Sequence, residues 1–308
     1  MSDKKSNQIK RPQAFVCGYV AIIGRPNVGK STLLNKLLQQ KISITSHKPQ
    51  TTRHAILGIK TTRQGQTIYV DTPGLQIKNT RAMNKVMNRA ADNAAADVDV
   101  VLFLVDAAKW QPDDEYALSR IPTNVPTILL INKIDKIKDK SELLPLLQKY
   151  SAQHDFFRVI PVSARNGEGL DALEGEILSL LPEAKPLFPD DQITDRSERF
   201  LVAEIVREKL MRSLGQEIPY EVTVEIESYR IENQICHIGA IIWVSRKGQK
   251  GIIIGQGGQS LKKIGEKSRL DIERILQSKV FLQLWVKVKQ GWSDDIRALN
   301  SLGYGETK

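Results

Sequence analysis

Short apolar runs alternate with amphipathic helical patterns between residues 15 and 181. The short runs predict strands, and apolar positions spaced three and four residues apart predict helices. This alternation is typical of βαβ units, so we predict an α/β domain with a mostly parallel sheet. The predicted strands are Val16–Ile23, Ala55–Lys60, Thr67–Val70, Val100–Asp106, Thr127–Asn132 and Val159–Ser163, and the predicted helices are Ser31–Gln40, Arg81–Ala96, Asp113–Ile121, Ser141–Tyr150 and Gly169–Leu181.

Two departures from this alternation mark the topology and the domain boundary. A short turn that contains Gly65 joins the second and third predicted strands, which indicates a hairpin and one antiparallel edge. Further along, Pro182, Pro186 and Pro189 interrupt the pattern. We therefore predict an extended linker at residues 182–194, after a first domain at residues 15–181.

A different element order follows the linker and predicts a second, α+β domain at residues 195–308. Thr194 or Asp195 is placed to cap a helix that runs through Leu214. Beyond Gly291, a C-terminal tail is expected to pack as an extension of this domain. The other predicted elements are the strands Tyr220–Ile231, Ile235–Val244 and Val280–Val288, with two helices flanking Gly255–Gly258.

Composition narrows the class of protein. The 308 residues carry a net charge of +10, which suggests a polyanionic partner. The two cysteines, Cys17 and Cys236, lie in apolar runs, so we interpret them as buried thiols of a reducing compartment. Residues 1–14 are polar and basic, which predicts a flexible N-terminus, and no apolar stretch follows that suits a signal peptide or a membrane span. We expect a cytoplasmic protein.

The segment between the first strand and the first helix fits G-x-x-x-x-G-K-[ST], the phosphate-binding loop. Its glycines allow backbone N–H groups to turn toward phosphate oxygens at a helix N-terminus. Lys30 is placed to reach the terminal phosphates, and Ser31 is placed to hold Mg²⁺. The predicted phosphate-binding residues of this loop are Gly24, Arg25, Pro26, Asn27, Val28, Gly29, Lys30 and Ser31.

Two further segments are expected to complete the phosphate and magnesium site. Asp71 follows an apolar run, where it would contact Mg²⁺ through water, and the nearby Gly74 N–H would sense the γ-phosphate. Thr52 is expected to complete the Mg²⁺ shell, in preference to Thr51. The polar segment 43–53 suits a loop that orders when the γ-phosphate is present, although a plain surface loop would have the same composition.

Residues at the ends of two later strands predict selectivity for guanine. The carboxylate of Asp135 is placed to accept hydrogen bonds from guanine N1–H and the exocyclic amine, a pair that adenine does not offer. Asn132 would hold the loop together, and the stem of Lys133 would cover the face of the base. Ser163 and Ala164 end the next strand, where a backbone N–H would reach guanine O6. For residues 132–135, the alternative interpretation is an ordinary turn that caps a helix.

In order and spacing, these motifs resemble the G domains of translation and ribosome-assembly GTPases, over about residues 15–181. The resemblance implies a Ras-like P-loop fold, GTP and Mg²⁺ as ligands, and slow hydrolysis of GTP to GDP and phosphate. Leu75 stands where Ras-like proteins have a water-orienting glutamine, so the catalytic residue stays unknown. Some related GTPases with a hydrophobic residue there use K⁺ near an asparagine that matches Asn27; alternatively, Asn27 only braces the loop.

The second domain carries a G-x-x-G loop of the kind that clamps the nucleic-acid backbone in KH domains. Eight basic and three acidic residues lie between Arg246 and Arg274, whereas residues 191–308 as a whole carry a net charge of only +3. The basic residues therefore form a patch, for which we prefer nucleic-acid binding over a solvated helix face. The predicted RNA-binding residues are Gly255, Gln256, Gly257, Gly258, Lys250, Lys262 and Lys263.

The element order of the second domain resembles a type II KH domain, and one G domain followed by one KH domain resembles the Era family of the TrmE-Era-EngA-like superfamily. That resemblance implies binding near the 3′ end of 16S rRNA, a role in assembly of the 30S ribosomal subunit, and a fraction of the protein at the inner membrane face. We expect a monomer. The alternative function is a membrane-associated signalling GTPase whose KH-like unit is a protein-interaction module.

Two hydrophobic features of the second domain have open interpretations. Ile252–Ile254 and Ile264 would either line an RNA groove or pack in the core. The four tryptophans are expected to pack in cores, and Trp292 is the one to test for RNA contact.

Overall fold

The computed structural model describes residues 14–48, 50–77, 82–214, 221–302 and 304. Almost all of the predicted flexible N-terminus, residues 1–14, lies outside these ranges. Arg81 and Tyr220, the first residues of one predicted helix and one predicted strand, also lie outside them. The described residues form two domains, each built around its own sheet.

The first domain has six strands and five α-helices in its described residues. The strands are β1 (Val16–Ile23), β2 (Ile56–Thr61), β3 (Gly65–Asp71), β4 (Val100–Asp106), β5 (Thr127–Asn132) and β6 (Arg158–Val162), and the helices are α1 (Lys30–Leu37), α2 (Ala82–Ala96), α3 (Pro112–Leu118), α4 (Leu143–Ser151) and α5 (Leu170–Leu180). The strand order is β2-β3-β1-β4-β5-β6, with β2 antiparallel to β3 and the other pairs parallel. The predicted mostly parallel sheet with one edge hairpin is confirmed.

Helices cover both faces of this sheet, because successive residues of a central strand face opposite sides. Ile22 packs in one core with Leu33 of α1 and Ile177 of α5. Ile23 packs in the other core with Ala91 of α2 and Tyr150 of α4. The loops after β1, β3, β5 and β6 all leave the sheet at its carboxyl edge, which is where ligands bind in open α/β sheets.

The second domain follows the predicted order of helix, two strands, two helices and a strand. Its elements are α6 (Glu198–Ser213), β7 (Val222–Glu232), β8 (Ile235–Val244), α7 (Lys247–Ile254), α8 (Gln259–Leu276) and β9 (Lys279–Val288), followed by α9 (Ile296–Ser301) in the tail. β8 pairs antiparallel with β7 and parallel with β9. One apolar core joins Ile205 of α6, Ile253 of α7 and Ile272 of α8 to Ile242 of the sheet. The predicted KH-type α+β domain is confirmed.

Residues 182–194 are held against the first domain at both ends of the segment. The Cys17 N–H donates to the Pro182 carbonyl over 3.0 Å, and the Ile59 N–H donates to the Ile193 carbonyl over 2.9 Å. The segment predicted as a linker is therefore an ordered connection that runs along the first domain.

The helix after this segment begins later than predicted. Ser197, and not Thr194 or Asp195, is its N-cap, and the Ser197 Oγ accepts a hydrogen bond from the Phe200 N–H over 3.3 Å. Asp195 Oδ1 instead accepts from the Leu57 N–H of β2 over 3.1 Å, and Thr194 pairs with the same strand. Because the Thr194 backbone and the Asp195 carboxylate are held by β2, the next capping residue in the chain takes the role.

The C-terminal tail packs against the first domain, and not only as an extension of the second. Trp292, Leu299 and Tyr304 form a buried cluster with Met83 and Met87 of α2. Trp292 is fully buried, and its Nε1 donates to a backbone carbonyl of the second domain over 3.3 Å. The expectation that Trp292 packs in a core is therefore confirmed, and the buried ring leaves no exposed face for RNA contact.

Candidate nucleotide and RNA sites

The predicted phosphate-binding loop, residues 24–31, connects β1 to α1. Gly29 is the N-cap of α1 in the left-handed conformation, with φ of 111°. A Cβ atom at Gly29 would lie 2.3 Å from Asn132 Nδ2, so the close approach of the loop after β5 requires glycine here. The free backbone N–H groups of the first turn of α1 form an anion site at this point.

Lys30 is buried at the base of this loop. Its Nζ donates to the carbonyls of Gly24 and Arg25 over 2.9 and 3.0 Å. Burial lowers the pKa of Lys30 to about 8, an effect that the nearby Asp71 carboxylate only partly offsets. A phosphate group beside the amine would favour its charged form.

Four hydroxyl and carboxylate side chains converge next to the phosphate loop. Ser31 Oγ lies 2.7 Å from Thr52 Oγ1 and 2.8 Å from Asp71 Oδ2. Ser43 Oγ donates to the same carboxylate oxygen over 2.8 Å. The other oxygen, Asp71 Oδ1, is buried and lacks a hydrogen-bond partner in the described part of the chain.

This group of oxygens fits Mg²⁺, which prefers hard oxygen ligands and keeps several waters. Burial raises the pKa of Asp71, although Lys30 and the two serine hydroxyls oppose the rise. A cation and its water shell would supply the partner that Asp71 Oδ1 lacks and would hold the carboxylate in its charged form.

Residues 43–53, here called the switch loop, lie over the phosphate loop without regular secondary structure, Pro49 being outside the described ranges. The switch loop, the phosphate loop and Gly74 line one pocket. The two neighbouring threonines differ in orientation: Thr52 reaches Ser31, whereas Thr51 Oγ1 donates to the Lys48 carbonyl over 2.6 Å. The geometry therefore brings Thr52, and not Thr51, to the predicted magnesium site.

The residues after β3 approach the phosphate loop very closely. A Cβ atom at Gly74 would lie 2.6 Å from the Pro26 nitrogen, so a larger residue would push the two segments apart. Leu75 is 1% exposed and packs in the core with Ile23 and Phe103. Its alkyl side chain has no group that orients water, in agreement with the departure noted in the sequence.

The predicted guanine-binding residues form one connected network. Asn132 Nδ2 donates to the Val28 carbonyl over 2.7 Å, and Asn132 Oδ1 accepts from the Ala164 N–H over 2.9 Å. Ser163 Oγ donates to Asp135 Oδ1 over 2.7 Å. Asn132 thus ties the phosphate loop to the loop after β6, while the exposed Asp135 is fixed in orientation by one of its two oxygens.

Lys133 lies across the same edge of the sheet in a left-handed conformation, with φ of 69°. Its Nζ donates to Asp106 Oδ2 and to the Asn27 carbonyl, each over 2.6 Å. Burial opposes ionisation of Asp106, but the hydrogen bonds from Lys133 and the Ala108 N–H together with the nearby positive charges outweigh it, so the pKa of Asp106 lies below its usual value. The aliphatic stem of Lys133 therefore spans the space between the loop after β5 and the phosphate loop.

The sequence interpretation missed two partners of these residues. One is Asp106. It lies at the carboxyl end of β4, beside β5, and this position is the sequence signal that could have identified it. The other is Asp114, which pairs with Arg25 over 3.0 Å and also closes the capping box of α3. The sequence predicted only a helix that begins at Asp113, because no local pattern links Asp114 to a residue so distant in the chain.

The predicted RNA loop lies between α7 and α8 and is largely exposed. Gly255, Gly257 and Gly258 have positive φ angles of 71°, 58° and 77°. Gln256 and Gly257 are exposed at the tip. This backbone places N–H groups at the surface where α8 begins, the arrangement that lets KH loops approach phosphates. The cations that flank the loop, all exposed, are Lys250, Lys262 and Lys263.

The isoleucines near this loop divide between the two interpretations. Ile253 and Ile264 are buried and belong to the core of the second domain, so their role there is packing. Ile252 is 55% exposed and remains available as a groove residue. Trp285, expected in a core, is also an exception, because 41% of its surface is exposed on the solvent face of β9.

Helix α6 of the second domain forms hydrogen bonds with the switch loop. Arg207 donates through Nη2 to the Thr51 carbonyl, and Glu208 Oε1 accepts from the Thr45 N–H over 3.1 Å. Arg212 donates through Nε to the Thr45 carbonyl over 3.1 Å. The switch loop is therefore attached to the KH-type domain at several points along its length, which include Thr45, Lys48 and Thr51.

Fold and motifs together define the class: a P-loop GTPase domain followed by a KH domain. Residues 19–133 match the family model described as 50S ribosome-binding GTPase, and residues 217–293 match that of the KH domain. GTPase Era of Pseudomonas aeruginosa (strain PAO1) is 55% identical over 96% of this chain and 97% of its own length. GTPase Era of Pseudomonas fluorescens (strain Pf-5) is 57% identical over 94% and 97%. The chain belongs to the Era family of GTPases.

Solved structures agree with this assignment. A variant of Aquifex aeolicus Era bound to GDP·AlF4⁻ superposes with a TM-score of 0.92 at 42% identity, over 95% of this chain and all of the other. A structure of Era in complex with MgGDPNP and nucleotides 1506–1542 of 16S ribosomal RNA matches with the same TM-score, identity and coverage.

Proposed function

We propose that this GTPase is a nucleotide-driven switch that binds the 3′ end of 16S rRNA through its KH domain during assembly of the 30S ribosomal subunit. The observation that carries the proposal is the exposed G-x-x-G loop with cations on both flanking helices. The relative that is 42% identical over 95% of this chain is known in complex with MgGDPNP and nucleotides 1506–1542 of 16S rRNA, which supports the same ligands here.

In this proposal the phosphate loop binds the triphosphate of GTP, and Asp135 reads the guanine edge with Asn132 holding its loop. Ser31, Thr52 and Asp71 would hold Mg²⁺. When bound, that ion polarises the phosphate oxygens and offsets the charge that develops on them. Arg207 of α6 donates a hydrogen bond to the Thr51 carbonyl, next to Thr52. Phosphate binding at the site would therefore affect the contact between the switch loop and α6.

Potassium is proposed as a second cation of the site, beside Asn27. Asn27 is exposed and has a left-handed backbone with φ of 65°, and its carbonyl accepts a hydrogen bond from Lys133. Because Leu75 is buried and apolar, a monovalent cation would supply charge stabilisation that no glutamine provides. We expect slow GTP hydrolysis that is at least about fivefold faster in K⁺ than in Na⁺ at equal ionic strength. Equal rates in the two salts would leave Asn27 as a brace of the loop.

The RNA proposal is tested by replacing Gln256 and Gly257 with aspartate. Two carboxylates at the tip of the loop would repel RNA phosphates, so we expect about a hundredfold loss of affinity for the 1506–1542 fragment. The matched control replaces the same residues with asparagine, which has the same shape without charge and should change affinity less than about threefold. Undiminished binding of the aspartate variant would contradict the proposal. Crosslinking of the protein to RNA in cells, followed by sequencing, would then define the site.

The alternative function, a membrane-associated signalling GTPase, gives the G-x-x-G loop no role. Among the described helices, none is both long and apolar enough to cross a bilayer. Any fraction of the protein at the inner membrane face would have to be held there by surface contacts. Cell fractionation of the aspartate variant beside the parent separates the two functions.

A further inference from the structure

A concave pocket of about 230 Å³ lies between α6 and α8, apart from the G-x-x-G loop. Its charged lining comes from both helices: Lys209 and Arg212 from α6, and Lys267, Asp271 and Arg274 from α8. Four cations thus face one carboxylate. A concavity with this excess of positive charge favours an anionic ligand.

The carboxylates near the pocket are already shared among several cations. Asp271 accepts from Lys209, and its other oxygen accepts from Arg274 over 3.0 Å. The buried Glu208, just behind, accepts from Lys209 over 3.1 Å and from Arg212 over 2.9 Å. Two carboxylates therefore pair with three of the four lining cations, and Lys267 is the fourth.

Lys41 of the first domain adds a further positive charge, because it donates to Glu208 over 2.5 Å and to Asp271 over 3.3 Å. Burial opposes ionisation of both carboxyls, but these lysine contacts outweigh it, so the pKa of each lies below its usual value. Both acids are charged near neutral pH, and the cluster still has three uncompensated cations.

The pocket is continuous with the predicted RNA loop along one face of α8. Lys263, Lys267, Leu270 and Arg274 are spaced by four, three and four residues, so they share a face of the helix, and all four are exposed. From Lys263 to Arg274 the helix rises about 16 Å, which is the length of about five stacked nucleotides. This face begins in the second turn after the G-x-x-G loop.

We propose that the α6–α8 pocket binds phosphate groups of the RNA backbone outside the few nucleotides held at the G-x-x-G loop, with the exposed face of α8 as the track between them. The inference rests on the proposed RNA-binding function and extends its footprint. Guanidinium groups suit phosphate because they donate two parallel hydrogen bonds. Arg212 also holds the Thr45 carbonyl, so a phosphate in the pocket competes with the switch loop for this side chain.

An anionic membrane surface is the less suitable partner for the same charges. Membrane-surface helices combine cations with a broad apolar face that enters the lipid. The stripe on α8 offers only Leu270 among its cations, at 47% exposure, and the charges line a concavity. A strand of phosphates can enter such a concavity, whereas a flat lipid surface cannot.

The test compares two RNAs and two charge-matched variants. The pocket variant is K267Q/R274Q, and the control is K149Q/K185Q, which removes two exposed cations of the first domain and the connecting segment. The RNAs are the 1506–1542 fragment and a shorter RNA of about its last ten nucleotides, enough for the four that a G-x-x-G loop clamps. We expect the pocket variant to bind the long RNA about tenfold more weakly, with the slope of log K against log salt reduced by about 1.5, and the short RNA unchanged.

Several outcomes would overturn the inference. They are an equal loss in the control variant, an equal loss for the short RNA, and an unchanged salt slope. Because Arg274 pairs with Asp271, K267Q alone is the second variant: Lys267 makes no ion pair in the described part of the chain, and its loss should reduce the slope by about 0.8. Loss of binding to phosphatidylglycerol vesicles, with RNA affinity intact, would assign the pocket to membranes. If the parent protein bound neither RNA, the proposed function itself would fail.

Discussion

Lys30 is a residue on which folding and ligand binding place opposite demands. Its amine is buried beside two carbonyls, and burial lowers its pKa from 10.5 to about 8. Without nucleotide, keeping this amine charged costs free energy of folding. With a triphosphate, the same charge is what the phosphate oxygens need. The residue that recognises the ligand is thus a source of instability in the empty protein.

Replacing Lys30 with methionine should change how stability depends on pH. Between pH 8 and 10.5 the unfolded chain binds more protons at this position than the folded chain, so the free energy of unfolding rises with pH. From pH 7.5 to 9.5, we expect nucleotide-free parent protein to gain about 2 kcal/mol relative to Lys30→Met, by urea denaturation at each pH. The control is Lys36→Met, on the exposed face of the same helix, which should follow the parent. A Lys30→Met protein with the parent's pH slope would contradict the assigned burial effect.

At the level of elements, hydrophobic periodicity was sufficient for the sheet and most helices. Boundaries depended on pairing: β3 begins at Gly65 and not at the predicted Thr67, because Gly65 is in register with Val16 of β1. The start of α6 was wrong for a similar reason. Three capping residues stand close together there, and contacts with β2 decide among them. Local propensity alone does not contain that information.

The candidate site divides in the same way. Residues within contiguous motifs were identified because the motif carries its own geometry, as in the loop before α1. The hydrogen bonds between α6 and the switch loop were not predicted. Glu208 and Thr45 are 163 residues apart, and nothing in either segment indicates the other. The apolar residues of α6 predict that the helix packs, but the partner of its buried Arg207 follows only from the way the domains meet.

For the whole molecule, the contacts between the two domains include the segment 182–194, the contact between α6 and the switch loop, the tail cluster on α2, and the ion pairs of Lys41 with Glu208 and Asp271. The second contact includes an ion pair with little exposure, between Arg207 and Glu204 at 2.6 Å. Burial opposes the charge of Glu204, but Arg207 outweighs it, so the pKa of Glu204 lies below its usual value. The pair is therefore charged and directed at a loop that the nucleotide site shares.

This arrangement predicts that Arg207 transmits between the two sites. We expect the parent to bind the 1506–1542 fragment with affinities that differ by at least about fivefold between its GDP and GTP-analogue forms. In the double variant R207M/E204M the difference should fall below about twofold, measured by RNA titration in each nucleotide state. Both residues are replaced because removing one alone leaves a buried charge, which costs about 3–5 kcal/mol, whereas an apolar pair of similar volume is often neutral.

The control for this prediction is R158M/E176M, which removes an ion pair of the first domain in which Arg158 is 59% exposed. It should keep the parent's difference between nucleotide states. Because binding linkage is reciprocal, the same loss must appear when GTP-analogue affinity is measured with and without RNA. If R207M/E204M stays folded, binds both ligands and retains the full difference in both measurements, the coupling does not pass through Arg207. The contacts of Thr45 with α6, the segment 182–194 and the tail cluster would then be among the contacts left to carry it.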